Sequence, residues 1–169
     1  MKAPTNLSIR KATTADIESI GYMAYQIWPY AYRNILSLGQ LQYMLGMFYS
    51  PESLRSQIEE SRHQFLIAEI DEKKVGFASY SATETKGQFK LHKIYMLPET
   101  QGSGLGKQLL EQVKSDCSDL GATSLMLTVN RFNTALYFYK KQGFQITREE
   151  KFDIGNGYMM DDYILELVL

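Results

Sequence analysis

The chain has 169 residues, of which 44% are hydrophobic and 22% are charged, and these values are typical of one globular domain. A folded chain of this size buries about 70% of its surface, so its core needs neither a disulfide nor a structural metal. A net charge of −1 gives no field for a nucleic-acid backbone, and one cysteine with two histidines leaves no set of zinc ligands.

The sequence also bears on location and domain number. Its first residues lead into charged sequence without the apolar core of an export signal, and the longest charge-free stretch, 34–51, is interrupted by polar residues and glycines. We therefore expect a cytoplasmic protein that binds neither nucleic acid nor membrane. Because no repeat or low-complexity linker divides the chain, residues 1–169 are expected to form a single domain.

The N-terminal part predicts one short strand and three helices. Leu7 and Ile9 indicate the strand, and Thr13 follows it with the chemistry of a helix N-cap. Apolar residues at three- and four-residue spacing predict the helices. These helices cover about 16–28, 38–49 and 51–58. Because proline lacks the N–H of a helical hydrogen bond, Pro29 is expected to interrupt the first helix.

After His63 the pattern changes to short apolar runs separated by turn residues, which predicts an antiparallel meander. The runs cover 65–70, 75–82 and 89–97. A glycine-rich turn and a helix to about Leu120 follow the third run. The remaining predicted elements are a strand at 125–129, a short helix at 134–142 and two strands around 155–157. The predicted fold class is α/β, with a mixed, mostly antiparallel central sheet flanked by helices.

The turn Gln101-Gly102-Ser103-Gly104-Leu105-Gly106-Lys107 joins a strand to a helix N-terminus, where backbone N–H groups bind phosphate. The ATP-type P-loop pattern fails because Gln101 stands where it requires glycine, and Gln108 where it requires a hydroxyl. The dinucleotide pattern fails because Lys107 stands where it requires its third glycine. The turn instead fills the pattern Q/R-x-x-G-x-G/A.

Glycine suits a diphosphate site because several N–H groups can converge on one ligand without a Cβ in the way. In that interpretation Ser103 and Lys107 add a hydroxyl and a positive charge. The alternative is a tight strand-to-helix turn whose glycines serve packing only.

A second motif lies downstream, where Asn130 ends a strand and residues 133–144 read Asn-Thr-Ala-Leu-Tyr-Phe-Tyr-Lys-Lys-Gln-Gly-Phe. In this order and spacing, the two motifs resemble those of the GCN5-related N-acetyltransferase (GNAT) family over about 65–144. The resemblance implies the acyl-CoA N-acyltransferase fold, with acetyl-CoA as co-substrate, no metal, and direct transfer of acetyl to a primary amine of a small molecule. Dimers are common among related folds, and the resemblance is therefore compatible with a homodimer.

Segments 49–54, 93–96 and 161–166 are also similar to the bacterial polyamine (spermidine) N-acetyltransferase branch, which implies a polyamine acceptor. Two other hypotheses remain open. One is a non-catalytic acetyl-CoA sensor with the same fold, and the other is acetylation of a protein N-terminus or lysine.

The resemblance places the co-substrate on three segments. It implies that the glycine turn, 101–107, holds the pyrophosphate, and that main-chain groups of Ile94, Tyr95 and Met96 hold the pantetheine arm and the oxyanion. It implies that Asn130 and Asn133 hold the pantetheine or adenine end. Asn133 is equally suited to cap the short helix that follows it.

The resemblance maps the acid that protonates the leaving thiolate to Tyr139, whose phenol can donate without ionising at neutral pH. If Gly143 ends the short helix in a Schellman motif, Tyr139 also packs on Phe144, and the two roles are compatible. The family often has a carboxylate base on the strand where this chain has His92. His92 is therefore one candidate base, with a hydrogen-bonded structural role as its alternative. Glu69 is the second candidate base, with a solvated edge position as its alternative.

Aromatic residues are concentrated between Tyr22 and Tyr49. Aromatic faces suit an amine cation, so Trp28, Tyr30 and Tyr32 are predicted to bind the acceptor. The alternative is that most of these aromatics are core or dimer-contact residues. Cys117 lies on an apolar stripe and is expected to be an inert core thiol.

Overall fold

Seven strands form one sheet in this computed structural model, which describes residues 6–169. In chain order the strands are β1 (Leu7–Lys11), β2 (Gln64–Ile70), β3 (Lys73–Ala82), β4 (Gln88–Met96), β5 (Ser124–Asn130), β6 (Gln145–Gly155) and β7 (Tyr158–Val168). Across the sheet their order is β1-β2-β3-β4-β5-β7-β6, and every neighbouring pair is antiparallel except β4 and β5. This confirms the predicted class and the predicted meander.

Within residues 6–169, five α-helices flank the sheet. They are α1 (Ile17–Ala31), α2 (Leu38–Tyr49), α3 (Pro51–Glu59), α4 (Leu105–Asp119) and α5 (Ala135–Lys141). Thr13 begins a 3₁₀ turn that leads into α1, and it forms a capping box with Asp16, which confirms the predicted capping. Within residues 6–169, no helix is long and apolar enough to cross a membrane.

The predicted interruption at Pro29 is wrong, because α1 continues through Pro29 to Ala31. Proline removes one helical hydrogen bond, and here the helix ends two residues later. The Tyr32 N–H still donates to the Trp28 carbonyl at 2.9 Å, so the last turn is closed across the proline. The end of α1 therefore carries Trp28 and Tyr30 on helical backbone.

The central feature of the sheet is the short contact between β4 and β5. The two strands pair only at Gln88 with Ser124, Phe89 with Leu125, and Lys90 with Met126. Beyond these residues β4 pairs with β3 alone and β5 with β7 alone. The two parallel strands therefore diverge, and their facing backbone edges open a cleft in the middle of the sheet.

A β-bulge lies on β4 beside this cleft. Ser79 pairs with Lys93 and Tyr80 with Leu91, so His92 is an additional residue without a partner on β3. A regular strand sends neighbouring side chains to opposite faces. The bulge interrupts this alternation on the strand that borders the cleft.

Candidate active site

A cavity of about 1110 Å³ occupies the cleft between the diverging strands. The residues that the sequence singles out all line it, except Glu69, Ser103 and Leu105. The glycine turn bounds one part of the cavity. A second part is enclosed by α1, α2, α3, His63 and β4, and we call this part the acceptor lobe.

The glycine turn leaves several backbone donors free at the start of α4. The N–H groups of Gly102, Gly104, Gly106 and Lys107 have no acceptor within residues 6–169. Free N–H groups at a helix N-terminus, together with the helix dipole, form an anion site. The Lys107 side chain adds a positive charge at the same turn. These residues therefore fit the diphosphate of acetyl-CoA.

The glycines of this turn serve different needs. Gly102 and Gly104 have φ angles of +81° and +83°, which side chains rarely adopt. A Cβ on Gly106 would instead lie 2.6 Å from the Met96 Cε, so this glycine permits close packing of α4 against β4. The turn uses glycine both for its backbone shape and for its packing.

Two predicted residues of the turn lie outside the cavity lining. The Ser103 hydroxyl donates to the Thr100 carbonyl, and it also accepts a weak hydrogen bond from the Leu105 N–H at 3.4 Å. The Leu105 side chain is buried in the core. Both residues shape the turn, and the Ser103 hydroxyl is already engaged.

Polar backbone and side-chain groups line the walls of the cleft. Ile94, Tyr95 and Met96 lie on the β4 edge that faces β5 without pairing to it. On the opposite wall, Asn130 accepts a hydrogen bond from the Phe132 N–H and Asn133 accepts one from the Ala135 N–H, both at 2.9 Å. The Asn133 side-chain oxygen thus accepts from the first residue of α5, and both asparagines line the cavity.

Tyr139 lies in the last turn of α5 and lines the cavity. Gly143 has a φ of +100°, its N–H donates to the Lys140 carbonyl, and the Phe144 N–H donates to the Tyr139 carbonyl. These bonds confirm the predicted Schellman motif. Burial raises the pKa of Tyr139, so its phenol stays protonated and can donate at neutral pH.

His92 lies in the acceptor lobe with its ring against His63. Their ring centroids are 3.9 Å apart with an interplanar angle of 8°, and the His92 Nε2 is 2.7 Å from the Ser81 hydroxyl. Burial, with His63 and two nearby lysines, lowers the pKa of His92 to about 3. The imidazole is neutral at neutral pH but is a weak base.

The structure does not bring Glu69 to the cavity. Its carboxylate accepts a hydrogen bond from the Arg10 guanidinium at 3.0 Å, on the β1–β2 side of the sheet. Arg10 also binds Asp16, whose pKa it holds well below the usual range. Glu69 therefore belongs to an ion-pair cluster, and this corrects its place among the candidate bases.

The predicted acceptor aromatics take different positions. Trp28 is buried and packs on Tyr32 at a centroid distance of 4.7 Å, and the Tyr32 hydroxyl hydrogen-bonds the Tyr95 hydroxyl at 2.9 Å. Tyr30 is 45% exposed, with the Arg33 guanidinium 4.2 Å from its ring centroid. Trp28 and Tyr32 thus form a wall of the cavity, and Tyr30 lies at its rim.

One site residue is missed by the sequence reasoning. Asp162 on β7 is only 1% exposed and lines the cavity, and its carboxylate forms no hydrogen bond within residues 6–169. Burial and the neighbouring Asp161 raise the pKa of Asp162 to about 6. A carboxylate in a buried strand is a signal that the sequence offers at Asp161-Asp162. It does not show which of the two faces inward.

Neither a metal site nor a reactive thiol is found among the described residues. Residues 6–169 contain no group of three or more histidine, cysteine, aspartate or glutamate side chains placed to hold a metal ion. Cys117 is buried on α4, and burial raises the pKa of its thiol to about 12, which is consistent with an inert core residue.

A sheet that splays between β4 and β5, with an anion-binding turn at the start of α4, defines the acyl-CoA N-acyltransferase fold. Residues 36–162 match the family model of the acetyltransferase (GNAT) domain, and the chain belongs to that family. It is an N-acetyltransferase whose co-substrate is acetyl-CoA.

Two relatives show how far the similarity reaches. The chain is 28% identical over 146 residues to a spermidine N(1)-acetyltransferase of Thermoplasma acidophilum, covering 83% of this chain and 89% of the relative. It also resembles the crystal structure of the PaiA N-acetyltransferase from T. acidophilum in complex with coenzyme A. That match has a TM-score of 0.82 and 27% identity, and covers 97% of this chain and 99% of the other.

A third comparison concerns the fold alone. The ribosomal-protein-S18-alanine N-acetyltransferase from Escherichia coli superposes with a TM-score of 0.74 at 19% identity, covering 96% of this chain and 94% of the other. Chains of this fold therefore include enzymes whose names refer to a polyamine and to a protein. The fold does not choose between these acceptors.

Proposed function

We propose that this enzyme transfers acetyl from acetyl-CoA directly to a primary amine of a small molecule held in the acceptor lobe. The observation that carries the proposal is that one continuous cavity joins the anion-binding turn, Tyr139 and the aromatic wall. Acetyl-CoA supplies the acetyl thioester at the β4 edge. The residues of this chain position it and move two protons.

Tyr139 donates the proton that the departing thiolate requires. Its phenol has a raised pKa, so it reaches the reaction protonated, and its ring is fixed against Phe144 at a centroid distance of 5.8 Å. A proton donor held in one orientation contributes about 10²- to 10⁴-fold to such a step. The unpaired edge of β4 at Ile94–Met96 offers backbone donors to the oxygen on which negative charge develops.

Asp162 accepts the proton that the attacking amine releases. Its pKa of about 6 lies close to the working pH, and this is the condition for an efficient general base. His92, the candidate from the sequence, has a pKa of about 3 and already hydrogen-bonds Ser81. We therefore assign a structural role to His92 and the role of proton acceptor to Asp162.

The bond changes balance in one sequential step. The amine nitrogen forms a bond to the acetyl carbon while the carbon–sulfur bond breaks, the amine proton passes to Asp162, and the Tyr139 proton passes to the sulfur. No nucleophilic side chain with an adjacent base lines the cavity within the described residues, so a covalent acetyl-enzyme is not required.

The test is a screen for thiol release. The enzyme is incubated with acetyl-CoA and a panel of polyamines, amino acids and short peptides, and free thiol is followed, with calorimetry of acetyl-CoA binding in parallel. Transfer to a small amine is the expected result. Tight binding without release on any amine would instead favour an acetyl-CoA sensor, and release on peptides alone would favour a protein acceptor.

A polyamine is a more specific hypothesis for the small-molecule amine. The name of the T. acidophilum relative supports it. The charges that line the cavity weigh against it, because a polyamine carries several positive charges into a cavity that is itself mainly cationic.

A further inference from the structure

The charges around the cavity are unequal. Among the described residues that line it, four are cationic, Arg33, Lys90, Lys93 and Lys107, and Asp162 alone is a carboxylate. Lys107 lies in the diphosphate-binding turn and Arg33 lies at the rim beside Tyr30. Two lysines, Lys90 and Lys93, therefore remain on the β4 side of the acceptor lobe, with no role in the chemistry described above.

Lys93 is a buried cation without an anionic partner. It is 8% exposed, and its Nζ donates to the Gln57 Oε1 at 2.7 Å. Neither Lys90 nor Lys93 forms an ion pair within residues 6–169. Burying an ammonium group without a counter-charge is costly, and burial lowers the pKa of Lys93 to about 8.

The surroundings hold this ammonium group in place. Gln57 donates from its amide nitrogen to the Phe48 carbonyl at 2.8 Å and to the Ser53 hydroxyl at 3.0 Å, so its Oε1 is directed at Lys93. The Nζ also lies 5.4 Å from the Tyr49 ring centroid. One hydrogen bond uses one of three ammonium protons, which leaves donors for a ligand.

Two further polar side chains, Lys90 and His63, line the same cavity. Lys90 is half-buried on β4, and burial lowers its pKa while the Asp162 charge opposes that effect. The His63 ring also lines the lobe, and its Nδ1 is buried without a partner among the described residues. A lobe of this composition suits an anion better than a second amine.

We propose that the acceptor is a small amine that also carries a carboxylate, which Lys93 and Lys90 bind while the amine faces Asp162. This inference rests on the proposed function, because it names the substrate class of the same site. A carboxylate would supply the counter-charge that Lys93 lacks, and the aromatic wall would cover the body of the molecule.

The experiment compares amines that differ by one carboxylate. The pairs are L-lysine with cadaverine, L-ornithine with putrescine, and L-tryptophan with tryptamine, with spermidine as a further acceptor. The full chain is assayed as wild type and as Lys93→Met, Lys90→Met and Lys86→Met, and kcat/KM is measured by thiol release. Lys86 is exposed and lies outside the cavity, so Lys86→Met is the matched control.

We expect the wild type to prefer the carboxylate-bearing member of at least one pair by tenfold or more. Lys93→Met should reduce that preference at least tenfold, and Lys86→Met should preserve it. The variant is decisive because the lower pKa of an amino-acid amine also favours its reaction, and that advantage would persist without Lys93. If Lys93→Met does not fold, Lys90→Met measures the same loss from the neighbouring cation.

Three results would overturn the inference. A preference for the decarboxylated amine in every pair, or for spermidine over all three amino acids, would refute it while leaving the proposed function intact. An equal loss for both members of a pair in the lysine variants would assign Lys93 and Lys90 a structural role. Acetyl-CoA binding without transfer to any amine would refute the proposed function and the inference together.

Discussion

The Phe144 N–H donates to the Tyr139 carbonyl at 3.1 Å, and the two rings meet edge to face at a centroid distance of 5.8 Å. The same turn that ends α5 therefore also orients the proposed proton donor. Since Gly143 must adopt a positive φ for this turn, the backbone of one glycine and the placement of one phenol are linked.

Replacing Tyr139 with phenylalanine removes the proposed acid and keeps the ring that packs on Phe144. We expect kcat to fall by about 10²-fold or more, because the thiolate then leaves without a proton donor. The dissociation constant of acetyl-CoA should stay within about twofold of the wild-type value. Steady-state thiol release and calorimetry measure the two quantities, and an unchanged kcat would remove Tyr139 from the mechanism.

Gly143→Ala should destabilise the protein by about 1–2 kcal/mol, because a residue with a Cβ is strained at a φ of +100°. The new Cβ would also lie 3.2 Å from the Leu167 Cδ1, which is tight. Urea denaturation measures the free energy of unfolding.

Gly46→Ala is the control for Gly143→Ala. Gly46 lies within α2, and a Cβ there meets no atom within 4 Å. Alanine favours a helix interior over glycine, so this variant should gain up to about 1 kcal/mol. A similar loss from both substitutions would contradict the role given to the turn at Gly143.

The parts of the fold that the sequence predicts well are governed by neighbouring residues. Gly143-Phe144 indicates the end of α5 because a Schellman motif needs only one glycine and one apolar residue at fixed positions. The glycine turn is equally local. By contrast, the predicted interruption at Pro29 is wrong because a proline near the end of a helix costs only one hydrogen bond. The sequence does not show how close that end is.

The parts that the sequence does not predict depend on strand pairing. The bulge that leaves His92 without a partner on β3 arises from the register between β3 and β4, and no turn residue marks it. Asp162 lines the cavity because β7 lies beside β5, where Asp162 pairs with the distant Asn130. Glu69 is an attractive candidate in sequence, but Arg10 on β1 binds it.

The positive φ of Gly104 is a condition for the free N–H groups at the start of α4. Gly104→Ala should raise the dissociation constant of acetyl-CoA by about tenfold or more, because a strained loop no longer directs those groups at one diphosphate. Calorimetric titration with acetyl-CoA measures this.

Gly121→Ala is a matched control for the loop variant. Gly121 has a φ of +90° at the other end of α4, and its Cβ, like that of Gly104, would meet no atom within 4 Å. Gly121→Ala should lose about as much stability as Gly104→Ala but leave acetyl-CoA binding unchanged. Equal effects on binding from both variants would show that general destabilisation, and not the loop, weakens it.

Asp162→Asn and His92→Gln separate the two candidate bases. If Asp162 takes the amine proton, its asparagine variant should lose about 10²-fold or more in kcat, while His92→Gln should lose less than about tenfold. Both variants should bind acetyl-CoA normally in calorimetry. The opposite ranking would return His92 to the mechanism and leave Asp162 as a buried structural carboxylate.

The raised pKa of Asp162 also predicts a change in stability with pH. Burial raises that pKa from 3.8 to about 6, so the folded protein holds the carboxyl proton more tightly than the unfolded chain does. The stabilisation from this group is therefore complete below about pH 4 and is lost as the pH rises through 6. At pH 7 to 8 the buried charge lowers the free energy of unfolding by about 1–3 kcal/mol.

Asp162→Asn should accordingly be more stable than the wild type at pH 8, although it is less active, and the difference should disappear near pH 4. Urea denaturation of both proteins at pH 4, 6 and 8 measures this. The contributions of the other titrating groups cancel when the two free energies of unfolding are subtracted. Asp119→Asn, at the exposed end of α4, controls for the loss of one carboxylate. If the gain in the free energy of unfolding were the same at pH 4 and pH 8, ionisation of Asp162 would not destabilise the fold. That result would contradict the raised pKa on which its role as base depends.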